Sequence, residues 1–412
     1  MKIRISPILD ILLGIIICSY AGPFASYVGI NVLIFITLLL YLFIMNAKLL
    51  SVKRQKIGLS WSILFCFMCF NALLNVPKSL FYLMIFIFGM LILKRNLQED
   101  NISLIKNILR VVSIALTISI IVQVFIPSVF YKFARVWFFY SNQYDMVYRT
   151  ESISHHYSGL MYEVSYSAVV LAIGICIFFA DVMTKQKGRL LNICLIIAAY
   201  FAIFMTGKRS FILIIPVSLA IYWFIFSVDR LNPRRLLVIA IAVIIFICLA
   251  GDIFSWVANI LGKGQAGIQL SSRERYWEIT IDMFKDNPII GQGLNSFDVW
   301  FNQSGIKIHY FDFAGAHNSY LQVLAEMGIL GFAMYFFCIG QNIYNGMKKL
   351  RLSTKIHDNE ASCNLIFALG GLTCMLIYGF SGNSLYQPQQ LVTFFFLIAV
   401  IRSTLPNKDK VQ

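Results

Sequence analysis

Unbroken apolar runs, each closed by charged or turn residues, recur along the chain at about 7–22, 28–46, 57–75, 79–93, 107–126, 164–180, 190–206, 211–228, 236–251, 326–343, 361–380 and 390–402. The run from Leu236 to Ala250 shows no alternation of apolar and polar positions. Alternating segments of about ten residues are the mark of a closed barrel, whereas continuous runs near 20 residues are long enough to cross a bilayer as helices. The pattern therefore predicts an all-α polytopic membrane protein of about twelve spans. Runs 79–93 and 390–402 are short for a span and predict helices that are tilted, broken or extended into neighbouring residues.

Two intervening segments are long, about 127–163 and 252–325, and both are rich in aromatic residues, Gly and Asn. The expected organisation is nine spans over 1–251 with a loop at about 127–163, a large loop over 252–325 that carries an amphipathic helix, and three more spans over 326–412. No inverted internal repeat of the kind found in many transporters is evident.

Composition closes off the soluble alternative: 59% of the 412 residues are hydrophobic and 13% charged, against about 45–50% and 25% in soluble domains. The net charge of +15 is first a matter of sidedness. With the N-terminus in the cytoplasm, 23 of the 34 basic residues fall in inner segments, as the positive-inside rule requires. The excess charge then faces anionic headgroups, and nucleic acid is not a partner. Both termini are expected in the cytoplasm, with Met1 to Tyr20 a retained signal anchor. The nine cysteines lie in or beside apolar runs and read as small hydrophobes.

Inner loops carry no phosphate-binding glycine loop and no Asp-x-Asp pair, so candidate chemistry faces outward. In Thr206-Gly207-Lys208-Arg209-Ser210, two cations at the lip of the bilayer are placed to hold a phosphate, or they simply fix helix depth by snorkelling. Ser271 to Phe284 reads as an amphipathic helix along the membrane surface, with Tyr276, Trp277, Ile279, Thr280, Met283 and Phe284 on its apolar face. There Arg273 shares a side with Trp277 while Arg275 points elsewhere; either Arg273 faces a ligand or these arginines pair with nearby glutamates. The stretch Asp286 to Phe297 reads as turn chemistry.

His317 stands at or just before a helix start with Asn318 and Tyr320, where the helix dipole disfavours its cationic form and leaves a neutral base; the alternative is a cap. Glu163 at the start of the sixth span orients an arginine or a sugar hydroxyl, or only caps a helix. His155 and His156 lack partners for a metal site. Asp10 is nearly the only charge within a span, which argues against a transporter.

The spacing His317-Asn318-x9-Gly328-x-x-Gly331 resembles that of the bacterial O-antigen ligase and O-antigen or capsule polymerase family of inner-membrane glycosyltransferases. Arg209-x-x-x-Leu213, Arg273-x-x-x-Trp277 and Pro288-Ile289-Ile290-Gly291-Gln292-Gly293 are similar to further motifs of that family. The resemblance runs from about 206 to 331, and the first 120 residues share only the pattern of spans. It implies a GT-C type helical fold and an undecaprenyl-diphosphate-linked oligosaccharide donor. It also implies a reaction without metal or other cofactor, in which Arg209 and Arg273 hold the diphosphate and His317 serves the acceptor. Lys208 and Arg275 as added diphosphate contacts, and Glu163, Asn318, Tyr320 and Trp277 as supporting or acceptor-binding groups, are inferences from position alone. A repeat-unit polymerase is expected ahead of a ligase that moves finished glycan to lipid A core or protein, with a flippase third. Membrane lipids, a chain-length regulator and a flippase of the same pathway are the expected partners.

Overall fold

In the computed structural model, residues 6–17, 36, 39–40, 55–75, 78–138, 141–184, 188–226, 268–303 and 315–407 are described. The predicted runs 28–46 (apart from helical positions 36, 39 and 40) and 236–251 lie outside them, as does much of 252–325. Among the described residues there are helices and no strand. They are α1 (Ser6–Ile17), α2 (Leu59–Ala72, extended by a 3-10 turn Leu73–Asn75), α3 (Lys78–Lys94), α4 (Glu99–Phe125), α5 (Pro127–Trp137), α6 (Ser141–Ser154), α7 (Val164–Thr184), α8 (Arg189–Met205), α9 (Arg209–Phe226), α10 (Ile268–Asp286), α11 (Phe297–Gln303), α12 (Ser319–Lys355), α13 (Asn359–Tyr378) and α14 (Pro388–Ser403).

Four of these, α4, α7, α12 and α13, are long and apolar enough to cross a membrane. The remaining long apolar helices are shorter, and the two runs predicted to be short, α3 and α14, have 17 and 16 residues. α7, α13 and α14 form the centre, and Leu391 to Ile401 of α14 is buried on every side. A helix that is apolar all round belongs inside a bundle. α7 packs on α4, α8 and α13, α14 packs on α3 and α13, and α12 packs on α2 and α13. Val111 and Ile118 of α4 and Leu190 and Ile197 of α8 are exposed, as expected of faces turned to lipid.

Several helices start earlier than their apolar runs predict, because polar residues continue the helix. α4 begins at Glu99 rather than 107, with the Gln98 and Asn101 side chains capping its first turn. This corrects the expectation that Asp10 is nearly alone within the spans. Asp10 pairs with Arg95 at 2.5 Å and accepts a hydrogen bond from Asn101 at 2.5 Å. Buried Lys106 donates to Asn364 Oδ1 at 3.0 Å, and Arg110 pairs with Asp181. Each charge is answered by an opposite charge or an amide, which is the condition for burying it.

The chain ascends and descends so that the described residues of 72–75, 78–79, 125–138, 141–163, 205–209, 287–303, 315–319 and 378–388 share one end of the bundle. Tyr157 N donates to Met205 O, and Ser319 N donates to Gly379 O at 2.7 Å. At the opposite end, Gln55 N donates to Lys94 O and Leu97 N to Ser403 Oγ.

Candidate functional site

The Gly-x-x-Gly and Pro-Ile-Ile-Gly-Gln-Gly stretches form one unit. Gly328 has φ 65 and ψ −175 inside α12, so the helix breaks there. The broken backbone is re-paired by the turn after α10. Ile329 N donates to Pro288 O at 2.9 Å, Leu330 N to Ile289 O at 3.2 Å, Gln292 N to Ala325 O at 3.0 Å and Gly293 N to Glu326 O at 2.9 Å. A Cβ on Gly328 would lie 2.2 Å from Ile289 O, and one on Gly291 would lie 2.3 Å from Glu326 O. Only glycine satisfies both the positive φ and the close approach. Asn71 of α2 adds its amide, donating to Ile290 O at 2.7 Å and to Glu326 O at 3.1 Å.

Glu326, 0% exposed, ties this break to the loop before α11. Its carboxylate accepts from Asn295 N at 2.8 Å, Phe297 N at 3.3 Å and Gln322 Nε2 at 3.0 Å. Gln322 Oε1 then accepts from Ala316 N at 3.2 Å, next to His317. His317 has φ 51, a left-handed conformation that costs a non-glycine residue about 1–2 kcal/mol. The cost is borne because both flanks are fixed. Asn318 caps α12 through its side-chain oxygen, which accepts from Tyr320 N and Leu321 N at 3.0 and 3.1 Å. The Ser319 hydroxyl donates to Gly382 O at 3.0 Å. Strain held in place by its surroundings is a feature of functional positions.

The apolar face predicted for Ser271 to Phe284 is buried on protein. Tyr276, Thr280 and Met283 of α10 are buried, and Tyr276 and Met283 pack with Phe297, Phe301, Ala316 and Ala325, so α10 covers α11 and the first part of α12. The Tyr276 ring lies 5.6 Å from the His317 ring, and burial pushes the Tyr276 phenol up from its ordinary pKa. Trp277 is half-buried, and its buried indole N–H has no partner among the described residues. Arg275 is exposed. Arg273 lies on α10 one turn before Tyr276, and its side chain is outside the described residues.

The turn 206–208 joins the same end. Gly207 has φ 72, and a Cβ there would lie 2.0 Å from the His156 ring, so this histidine sits on the turn that precedes Arg209. Lys208 is half-buried. Arg209 opens α9, and its side chain too lies outside the described residues. Two residues on, Phe211 packs against Tyr378 at 4.6 Å, and Gly379 accepts from Ser319 N. Contacts thus connect the Arg209 segment to the His317 segment. Tyr320 stacks on Phe380 at 4.2 Å and donates to Leu376 O at 2.7 Å, so its hydroxyl is used within the fold. Glu163 precedes α7, where its carbonyl accepts from Ser167 N at 3.1 Å; its buried Oε2 has no partner among the described residues.

Sequence reasoning missed Glu326, Gln322 and Asn71, and it weighed His156 only as a metal ligand. The first two stand at i and i−4 in a helix, and Asn71 interrupts an apolar run, signals that single out polar groups needing partners. For His156 no sequence signal existed.

Helical packing and a histidine held at a broken helix start define a polytopic membrane protein with its polar site at one end of the bundle. The family model described as O-antigen ligase matches residues 193–336, from α8 to beyond the break in α12. That match covers well under half of the chain, and it shows that this stretch of a multi-pass membrane protein is similar to the family. An uncharacterized protein of Haemophilus influenzae (strain Rd) is 24% identical over 145 residues, 34% of this chain and 35% of that relative. The chain thus spans about a third of the length of that relative.

Proposed function

We propose that this chain is a twelve-span polymerase of lipid-linked polysaccharide repeat units at the outer face of the bacterial inner membrane. A growing glycan leaves its undecaprenyl diphosphate and is joined to a sugar hydroxyl of the next lipid-linked unit. The diphosphate departs as negative charge grows on it, and preorganised cations at the membrane edge stabilise that charge without a metal. Arg209 and Arg273 take this role, with Lys208 and Arg275 as further cations nearby. The acceptor hydroxyl is too weakly acidic to attack unaided, and His317 as a neutral imidazole accepts its proton. Trp277, Asn318, Tyr320 and Glu163 support the donor and acceptor from the surrounding elements.

The observation that carries this reading is the convergence at one end of the bundle. α10 delivers Tyr276 to 5.6 Å from His317, and α9 begins beside the Gly379 segment that bonds Ser319. In the source organism, His317→Ala and Arg209→Ala are each expected to remove long-chain glycan, by about 10²–10⁴ in rate for the base. A single repeat unit left on its acceptor then identifies a polymerase. Polymer accumulating on the lipid carrier identifies a ligase, and unchanged glycan in both variants overturns the assignment.

A further inference from the structure

At the end of the bundle opposite His317, a cleft of about 450 Å³ opens between the segment before α2, the last part of α12 and the end of α14. Lys348, Lys349, Arg402, Gln55, Gln341 and Trp61 line it, and among the described residues no acidic one does. Its walls are clipped together. Lys349 Nζ donates to Ile401 O at 2.8 Å and Arg402 O at 2.7 Å, so it caps the end of α14. Arg402 Nη2 donates to Lys56 O at 2.5 Å, and Ser60 Oγ donates to Gln341 Oε1 at 2.9 Å. Carbonyl oxygens satisfy some of these donors, but they are dipoles and leave the formal charge of the three cations uncompensated. Lys348 is exposed at the rim and Trp61 is buried.

We propose that this cleft binds the phosphate group of an anionic ligand at the level of the lipid headgroups. Two arguments support it. Cations and amide donors gathered in a concave site without a carboxylate form a charge-assisted anion site. From Ile329, just past the break, to Lys348, α12 rises by roughly 29 Å at 1.5 Å per residue, about the thickness of the hydrocarbon core of a bilayer. With the His317 end at one membrane surface, the cleft therefore lies at the other, where lipid phosphates are. The ligand is a phosphodiester headgroup or a soluble phosphate, which present the same chemistry.

The test uses the full-length protein in detergent, with adducts counted by native mass spectrometry. Phosphatidylglycerol, phosphatidylcholine and inorganic phosphate are supplied in separate arms. Removing a cation near an anionic surface is expected to weaken retention about fivefold. Lys348→Gln should therefore cost phosphatidylglycerol binding about fivefold, and Lys348→Gln with Arg402→Gln about 25-fold. The control pair, Arg351→Gln with Lys355→Gln, lies on the same helix outside the cleft and should leave binding unchanged. Retention of phosphatidylglycerol above phosphatidylcholine with no effect of phosphate names the lipid as source; binding of phosphate alone with the same variant losses names the soluble ion. Equal retention of both lipids with no phosphate binding, or equal losses in the control pair, overturns the proposal. Lys348→Gln removes an exposed side chain, so it decides the question even if the double variant fails to fold.

Discussion

At the Lys349 end of the bundle, helices finish in local caps, with His357 at φ 58 in the turn between α12 and α13. Asp358 accepts from Ala361 N at 3.0 Å to cap α13, Lys349 caps α14, and α12 runs unbroken to its end. At the His317 end, where a histidine likewise holds a positive φ, α12 is broken within the helix at Gly328, and another chain segment supplies the missing backbone partners. Both ends pair backbone groups at their helix termini and breaks, one by local caps and the other by a tertiary ladder. The comparison teaches that irregular backbone is kept where groups must be aimed, and only where every broken hydrogen bond is answered.

The sharpest way to break this contrast is Gly328→Ala. A methyl 2.2 Å from Ile289 O at φ 65 combines overpacking with left-handed strain, an expected loss of about 3–5 kcal/mol. Thermal melting of the purified protein should fall steeply and glycan should disappear; a stable, active variant would show that the ladder is dispensable. Next, Glu326→Ala leaves the Asn295 and Phe297 N–H groups without their carboxylate, costing about 2–5 kcal/mol, again read as a fall in melting temperature together with loss of glycan.

Gly207→Ala drives a methyl into the His156 ring, for about 1–3 kcal/mol beyond the left-handed strain of alanine at φ 72. Adding His156→Ala should restore the steric part of the lost melting temperature, and failure of that rescue would remove the steric account. The smallest effects sharpen the comparison best. Asn318→Ala and Asp358→Ala each delete one helix cap and are expected to cost about 1 kcal/mol. Chain-length profiles on gels should change for Asn318→Ala and stay normal for Asp358→Ala. Equal effects on glycan would mean the two ends do not differ in function.

Much of the molecule was legible in the order of its residues. The apolar runs foretold ten of the described helices, the apolar face of α10 was recognised although it packs on protein rather than along the membrane surface, and the spacing around His317 pointed to the family whose model matches residues 193–336. Two features were not legible. The helical start from Glu99 to Lys106 fell outside the apolar run 107–126, because hydropathy cannot see that a helix continues through polar residues when a partner such as Asn364 waits on a neighbouring helix. The turn 288–293 read as plain turn chemistry, because its partner, the break at Gly328, lies some 40 residues further along the chain and on another helix.

What the sequence determined by itself is the solvent. A chain 59% hydrophobic and 13% charged, with its apolar residues in continuous runs, has to satisfy its backbone inside helices and bury them in lipid or against each other. Tertiary structure alone decided that Pro288, Gly328, Glu326 and His317 form one assembly. Hydropathy is a property of each residue, whereas the pairing of a broken backbone depends on which segment reaches it in space.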